Sequence, residues 1–595
     1  MKRFAFLCLC ALLLYLVLEP HTGGARTKRA SLELIGEVRN LIHRNYVAEV
    51  DSLQLIDGAI DGVMAILPQG LNVYLSPDEK SDLSATHSPV SQPALNNRQQ
   101  VQLLGDVLRR VRQHYVDKIA VDTLSRGAVW GMLATLDPHS NYLDSEEYER
   151  MAEQFSGEFE GIGIFYEVRQ GNLLVISPIL GSPSYGKLRA GDHIVEIEGV
   201  STEGITSEEV MEKLRGQPGS HVRISVARPG VDQWLDIDIQ RARIGVASVP
   251  YAFMLRPETG YVRIIRFGEK TGAELGAALD SLRQQGARRL LLDLRNNGGG
   301  LLSQAVAVAD YFVDKGELIV YTEGRDPASR QEYRARHPSR DAPLSLVLLL
   351  DHGSASASEI VAGAVQDMDR GLIAGQTSFG KGMVQEQYRL NANGGLLLLT
   401  VARYYTPLGR LIQRPYTDDV RAYIREGMDD LDPNAIDSLR AEKQVFHTAL
   451  GRKVYGGGGI TPDVLLESEE YTDFMLQLHQ TSALFDFAGR WVGQHAEWDG
   501  SFDDFLLHYH TPQAALDSLR LFLDELEVEV DDEVFATRHD YLANQLKAGT
   551  ARILWGDEQR YRIIAEGDAQ ILQALELFPR ADELTFLRRQ RGGNN

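Results

Sequence analysis

The chain has 595 residues, too many for one hydrophobic core, so several domains are expected. Hydrophobic residues make up 44% and charged residues 24%, an ordinary globular balance, and a formal net charge of -22 argues against nucleic acid or anionic lipid as the main partner, since both would repel it. Cys8 and Cys10 are the only cysteines and both lie in one N-terminal apolar run, which excludes disulfides, a cysteine nucleophile and zinc–thiolate sites from the rest.

Residues 1–25 read as an export segment, either a cleaved signal peptide or a retained membrane anchor. Lys2 and Arg3 precede the apolar run Phe4–Leu18, and Gly23, Gly24 and Ala25 supply small residues for cleavage. The run is shorter than the ~20 residues of a full span. Either reading puts the remainder in the periplasm or on the outer face of the cytoplasmic membrane. An internal repeat follows, in copies at 31–80 and 99–156 joined by a polar linker at 81–98. "LIGEVRNLIHRNYV" (Leu34–Val47) resembles "LLGDVLRRVRQHYV" (Leu103–Val116), and "LIDGAIDGVMAIL" (Leu55–Leu67) resembles "LSRGAVWGMLATL" (Leu124–Leu136). Their helical apolar spacing predicts two similar hairpins that serve packing or dimerisation.

Residues 157–242 alternate short strands with one helical stretch, Thr206–Gly216. The segment resembles a PDZ domain: Ile162, Gly163 and Ile164 match the loop that binds a peptide carboxylate, and "LRAGDHIVEIEG" (Leu188–Gly199) follows. The resemblance implies that a peptide adds as an extra strand while backbone N–H groups hold its terminal carboxylate. Residues 243–465 alternate strands such as "LSLVLLLD" (Leu344–Asp351) with helices such as "SEIVAGAVQDM", which predicts an α/β layered domain. Residues 466–595 read as a helical extension with no catalytic cluster.

Chemistry centres on "DHGSASASEIVAGAVQDMDR" (Asp351–Arg370). Ser356 and Glu359 form an S-x-x-E capping box at a helix start, which explains both without catalysis. A serine at a strand-to-helix turn also presents its hydroxyl to N–H groups that favour negative charge, as a nucleophile requires. His352 is near in sequence, but nothing in the spacing turns it toward Ser356, and no G-x-S-x-G elbow is present. Lys381, between Gly380 and Gly382 in "TSFGKGMVQEQ", is the stronger partner. Gly298-Gly299-Gly300 lacks the GK[ST] of a phosphate loop and can supply N–H groups to an oxyanion. The fifteen histidines form no HExxH-like pair, so no metal is expected.

These segments together, with "LATLDPHSNYL" (Leu133–Leu143), "LDLRNNGGGLL", "TVARYYTPLGRLIQ" (Thr400–Gln413) and "YGGGGITPDV" (Tyr455–Val464), resemble the carboxyl-terminal processing peptidases, or tail-specific proteases, over about 100–466. The resemblance implies a multidomain α/β protein with a helical N-terminal region, a PDZ domain, a ClpP/crotonase-like serine protease core and a helical C-terminal extension. It assigns Ser356 as nucleophile, Lys381 as general base, Gln385 as the residue that orients the lysine, and Ala357 with Gly298 or Gly299 as oxyanion donors. It implies no metal or organic cofactor, protein substrates with free C-termini, and a homodimer formed through the helical ends. Two departures stand out: Asp351-His352 replaces an asparagine-containing approach to the nucleophile, and "SPSYGKLRAGD" differs from the commoner PDZ form at Tyr185–Leu188. The alternatives are a PDZ-containing binding scaffold whose peptidase domain is inactive, and a serine hydrolase with a histidine base.

Overall fold

The computed structural model describes residues 25–67, 119–169, 171–338, 344–416, 443–467, 472–495, 498–528 and 530–592, with isolated positions at 104–113 and 422–425. The export segment up to residue 24 and the linker 81–98 lie outside them. Among the described residues no helix is long and apolar enough to cross a membrane.

The repeat is an intramolecular pair. The helices Ser52–Ala65 and Val121–Ala134 come from its two copies and cross through matching glycines. A Cβ on Gly62 would lie 2.1 Å from the Gly127 carbonyl oxygen, and one on Gly131 only 2.0 Å from that of Gly58. Only hydrogen in place of a side chain allows backbones this close. The first helix, Ala25–Asn45, adds Leu34, Ile35, Val38 and Ile42 to the core that these helices share with Leu397 and Leu399 of the long strand Leu396–Tyr405. That strand pairs antiparallel with Asn141–Leu143, Met383–Arg389 and Leu318–Gly324, and so ties the N-terminal region to the peptidase.

The strands Glu158–Gly161 and Ala242–Gly245 pair antiparallel where the chain enters and leaves the PDZ domain. Within it, five antiparallel strands run in the order Ile164–Arg169, Asn172–Pro178, His193–Ile197, His221–Ala227, Leu235–Gln240. The helix Ser207–Leu214 is capped by Thr206 and Glu209 in a reciprocal box. Among the described residues, Ile164–Arg169 is an edge strand, bonded on one side only.

The peptidase is built on a six-stranded sheet in the order Tyr251–Arg256, Thr259–Arg263, Arg289–Asp293, Ser345–Leu350, Leu372–Gly375, Val464–Leu465, parallel after the first pair. Successive residues of a strand face opposite sides. Accordingly Leu346, Leu348 and Leu350 enter one core with the helices Thr271–Gln284, Leu302–Ala309 and Ala357–Asp367. Val347 and Leu349 enter another, completed by Ala565, Ile571, Ala574, Phe578, Ala581 and Leu584. These six belong to the last three helices, Asp557–Gly567, Ala569–Leu575 and Phe578–Gly592. The division expected at 465 therefore separates segments that share one core: a parallel sheet needs both faces covered, and the C-terminal helices supply the second cover. Much of the apolar surface of these helices, like that of the N-terminal ones, packs within the chain, while Leu53, Trp130, Leu572 and Phe586 stay exposed. The intervening helices, from Asp473–Thr481 to His539–Trp555, have cores of their own and touch the PDZ domain through an Arg169–Asp486 ion pair of 2.6 Å.

A chain ending at Trp555 is expected to expose Val347, Leu349 and their neighbours and to aggregate. Recovery as a soluble species in size-exclusion chromatography, with unchanged thermal unfolding, would contradict this account of the sheet's second face.

Candidate active site

The fully buried strand Ser345–Leu350 leads through a turn into the helix Ala357–Asp367. Three serines in that turn and first helical turn divide the work. Ser354 and Ser358 are completely buried. Ser354 Oγ donates to the Leu294 carbonyl (2.9 Å) and Ser358 Oγ to that of Asn297 (2.8 Å). The N–H of Ala355 also donates to the Asn297 carbonyl (3.0 Å). Asp351, one of the two departures from the family pattern, accepts the N–H of Asn296 at 2.8 Å. The glycine loop is thereby stapled to the turn. Gly299 sits against the middle serine so closely that a Cβ there would be 2.8 Å from Ser356 Cβ. Ser356 itself is half-buried and has φ 54° and ψ −109°, a backbone state that is costly for a residue with a Cβ.

Glu359 does more than cap. Fully buried, it accepts four hydrogen bonds: Oε1 takes Ser378 Oγ (2.6 Å) and Gly380 N (2.7 Å), and Oε2 takes Ser356 N (2.7 Å) and Lys381 N (2.9 Å). Burial raises its pKa, and these donors act in the opposite direction. Tyr404 makes the second tie. Its single hydroxyl proton is directed at the Lys381 carbonyl (2.5 Å), with the Ser356 carbonyl (3.1 Å) as the longer branch of a bifurcated bond, and burial keeps the phenol neutral. One carboxylate and one phenol thus hold the backbones of Ser356 and Lys381 in a fixed relation.

The glycines around Lys381 have different reasons. Gly380 has φ +88°, and a Cβ on it would lie 2.9 Å from both Gly459 N and Arg414 Cβ; Gly382 needs only close approach, 2.8 Å to Gln413 N. Lys381 Nζ donates to Gln385 Oε1 at 3.0 Å. Among the described residues no hydrogen bond joins Nζ to Ser356 Oγ. Desolvation lowers the Lys381 pKa, opposed by the negative charges of Asp137 and Glu359. The register shift that pairs Val384 with Ala402 and Gln385 with Thr400 leaves Val401 as the extra residue on the partner strand, and the Gln385 amide N–H donates to the His139 carbonyl. The sequence reading did not single out His139, Asp137 or Tyr404, although the quoted segments "LATLDPHSNYL" and "TVARYYTPLGRLIQ" contain them. The His139 ring is half-buried and stays neutral near pH 7, its pKa lowered to about 4 by desolvation and then by Lys381.

Of the oxyanion candidates, Gly299 has its N–H committed to Asn297 Oδ1 at 2.9 Å. Among the described residues the N–H groups of Gly298 and Ala357 have no such acceptor. In the PDZ loop, the carbonyl of Ile162 accepts Ser184 Oγ (2.7 Å), and that of Gly163 accepts Ile179 N (3.0 Å) and Ser182 Oγ (2.9 Å). In a trans peptide the C=O and N–H point oppositely, so the N–H groups of Gly163 and Ile164 face away from this segment. Ile162 and Ile164 bury their side chains in the domain core.

A profile of peptidase family S41 matches residues 258–422, and a PDZ profile matches 151–227. A carboxy-terminal-processing protease of Bartonella bacilliformis is 41% identical over 323 residues, 53% of this chain and 74% of the relative. The chain belongs to the carboxy-terminal processing serine proteases. Members of that family include the carboxy-terminal processing protease CtpA of Bacillus subtilis, 35% identical over 52% of this chain and 66% of its own length. The N-terminal domain of the activating protease CtpB matches 18–81, and a family of unknown function matches 474–556. A solved photosystem II D1 C-terminal processing protease is 26% identical, covering 67% of this chain and 98% of its own, with a TM-score of 0.34.

Replacing Glu359 with Gln puts an amide NH2 against donors that one carboxylate oxygen now accepts. Glu359→Gln is expected to lower stability by about 1–3 kcal/mol in denaturant titration. Unchanged stability would show that the four bonds do not hold this turn.

Proposed function

We propose that this chain cleaves exported polypeptides near their C-termini through an acyl-enzyme on Ser356, with Lys381 as general base. The observation that carries the reading is the joint tethering of Ser356 and Lys381 to Glu359 and Tyr404, with the lysine amine drawn onto Gln385. Neutral Lys381 takes the proton from Ser356 Oγ as Oγ attacks the scissile carbonyl carbon. The N–H groups of Ala357 and Gly298 receive the oxyanion, worth about 10²–10³ in rate per donor. Collapse breaks the peptide C–N bond, and the leaving amine takes the proton from the Lys381 ammonium. Water, deprotonated by Lys381, then attacks the acyl ester; the acyl C–Oγ bond breaks, the Lys381 ammonium returns the proton to Ser356 Oγ, and the new carboxyl terminus leaves. Gln385 suits this role because its neutral amide orients the amine without adding charge that would favour the ammonium.

The PDZ domain supplies the selection. The N–H groups of Gly163 and Ile164 donate to the terminal carboxylate of a substrate tail, and the open edge Ile164–Arg169 receives its last residues as an added strand. Export follows from the charged start and apolar run of residues 1–25.

Two outcomes test this. Lys381→Arg and Lys381→Ala are expected to fold normally and lose cleavage of labelled casein by roughly a thousandfold or more. The parent rate should rise with pH as Lys381 loses its proton and level off at a pH below that of an ordinary lysine, because its pKa is lowered. Near-parental cleavage by either variant would point to a histidine base instead. For the PDZ reading, a fluorescent peptide with an apolar free C-terminus should bind full-length Ser356→Ala at least about tenfold more tightly than its C-terminal amide. Equal affinity would remove the carboxylate contact.

A further inference from the structure

The turn Asp137–Ser140 reaches the base from outside the peptidase core, at the end of the second repeat copy. Asp137 is 6% exposed and accepts the N–H groups of His139 and Ser140 (both 2.8 Å), Ser140 Oγ (2.7 Å) and Thr400 Oγ1 (3.2 Å). Thr400 is the cross-strand partner of Gln385, and its own N–H donates to Ser140 Oγ at 3.1 Å. The same turn delivers the His139 carbonyl to Gln385. A carbonyl only accepts, so it must receive the NH2 of Gln385, which leaves Oε1 for the Lys381 amine. The carbonyl therefore holds Oε1 toward the amine whether or not Lys381 is protonated. The first repeat copy closes the same place from behind: Val47 N donates to the Thr400 carbonyl at 3.0 Å, and the buried Tyr46 phenol is kept neutral by desolvation and by the Asp137 carboxylate.

We propose that Asp137 is a positioning residue for Lys381, fixing the turn that aims the His139 carbonyl at Gln385 and laying its own negative charge beside the amine. The proposal rests on the reading of Lys381 as base. The groups that face this lysine are Asp137 and His139 from the turn, Glu359 from the helix Ala357–Asp367, and Gln385 and Tyr404 from the two strands. Arg414 and Tyr423 stand beyond His139, whose ring is neutral near pH 7. Asp137 and Glu359 are therefore the two acidic groups that favour the ammonium, against the burial that disfavours it. Removing the charge of Asp137 pushes the lysine pKa further down, and the basic rise in rate moves to lower pH.

The test is kcat and KM against pH on labelled casein, with the full chain and the variants Asp137→Asn, Asp137→Ala and Lys381→Ala. Asn keeps an acceptor for the N–H groups of His139 and Ser140 but carries no charge. It should shift the midpoint of the rate rise down by on the order of one pH unit and reduce the plateau about threefold. Ala loses the turn as well and should reduce the plateau kcat about 100-fold with KM little changed, so that Asn restores most of what Ala loses. A pH profile for Asp137→Asn that superimposes on the parent's would overturn the proposal, as would a parental plateau for Asp137→Ala. If Asp137→Ala fails to fold by circular dichroism, the Asn profile alone decides. Cleavage by Lys381→Ala would instead overturn the base assignment, so the two failures are distinguishable.

Discussion

The carboxylate of Glu359, buried at the start of the helix Ala357–Asp367, accepts one donor from the Ser356 backbone and another from the Lys381 backbone on a single oxygen. Its other oxygen takes Gly380 and Ser378. Burying a carboxylate is expensive unless its lone pairs are filled, and here all four donors come from the two segments that must meet. The strand-to-helix turn and the glycine-flanked lysine loop are far apart in sequence. Their relation is set by that one side chain, with the Tyr404 hydroxyl repeating the constraint on the carbonyl side.

Given that junction, the remaining polar groups leave few hydroxyls and N–H groups uncommitted. Ser354 and Ser358 spend their hydroxyls on the loop around Asn297, and Asn297 spends its side chain on Ile264 and Gly299. What is left at the surface of the site is Ser356, in a strained backbone state, and the N–H groups beside it. Strain of this kind persists only where the surroundings over-determine the conformation, and the stapled loop does so.

The same logic extends outward. The peptidase site depends on a turn from the N-terminal repeat, the sheet beneath it on three C-terminal helices, and the PDZ domain on contacts at both its neck and Asp486. The N-terminal helices and C-terminal tail are therefore structural parts of the protease, and a minimal fragment cut at the family segment alone lacks a cover for one sheet face.

The sequence by itself determined the layered core, the PDZ segment and the repeat from local pattern, such as the continuous apolar run in "LSLVLLLD" and the helical spacing in the repeat, whereas the roles of Ser356, Lys381 and Gln385 came from the family resemblance of short motifs whose residues are neighbours in the chain. It could name Gly298 and Gly299 together but not separate them, since the choice depends on where the Asn297 amide turns. It read Glu359 as a cap, which is its local role; its bonds to Ser378, Gly380 and Lys381 exist only after the chain has folded back. The cover supplied by residues 557–592 and the His139 carbonyl beneath Gln385 were likewise decided by tertiary structure. An amphipathic helix records that one face is buried without recording against what, and a backbone carbonyl has no side-chain identity by which a sequence could announce it.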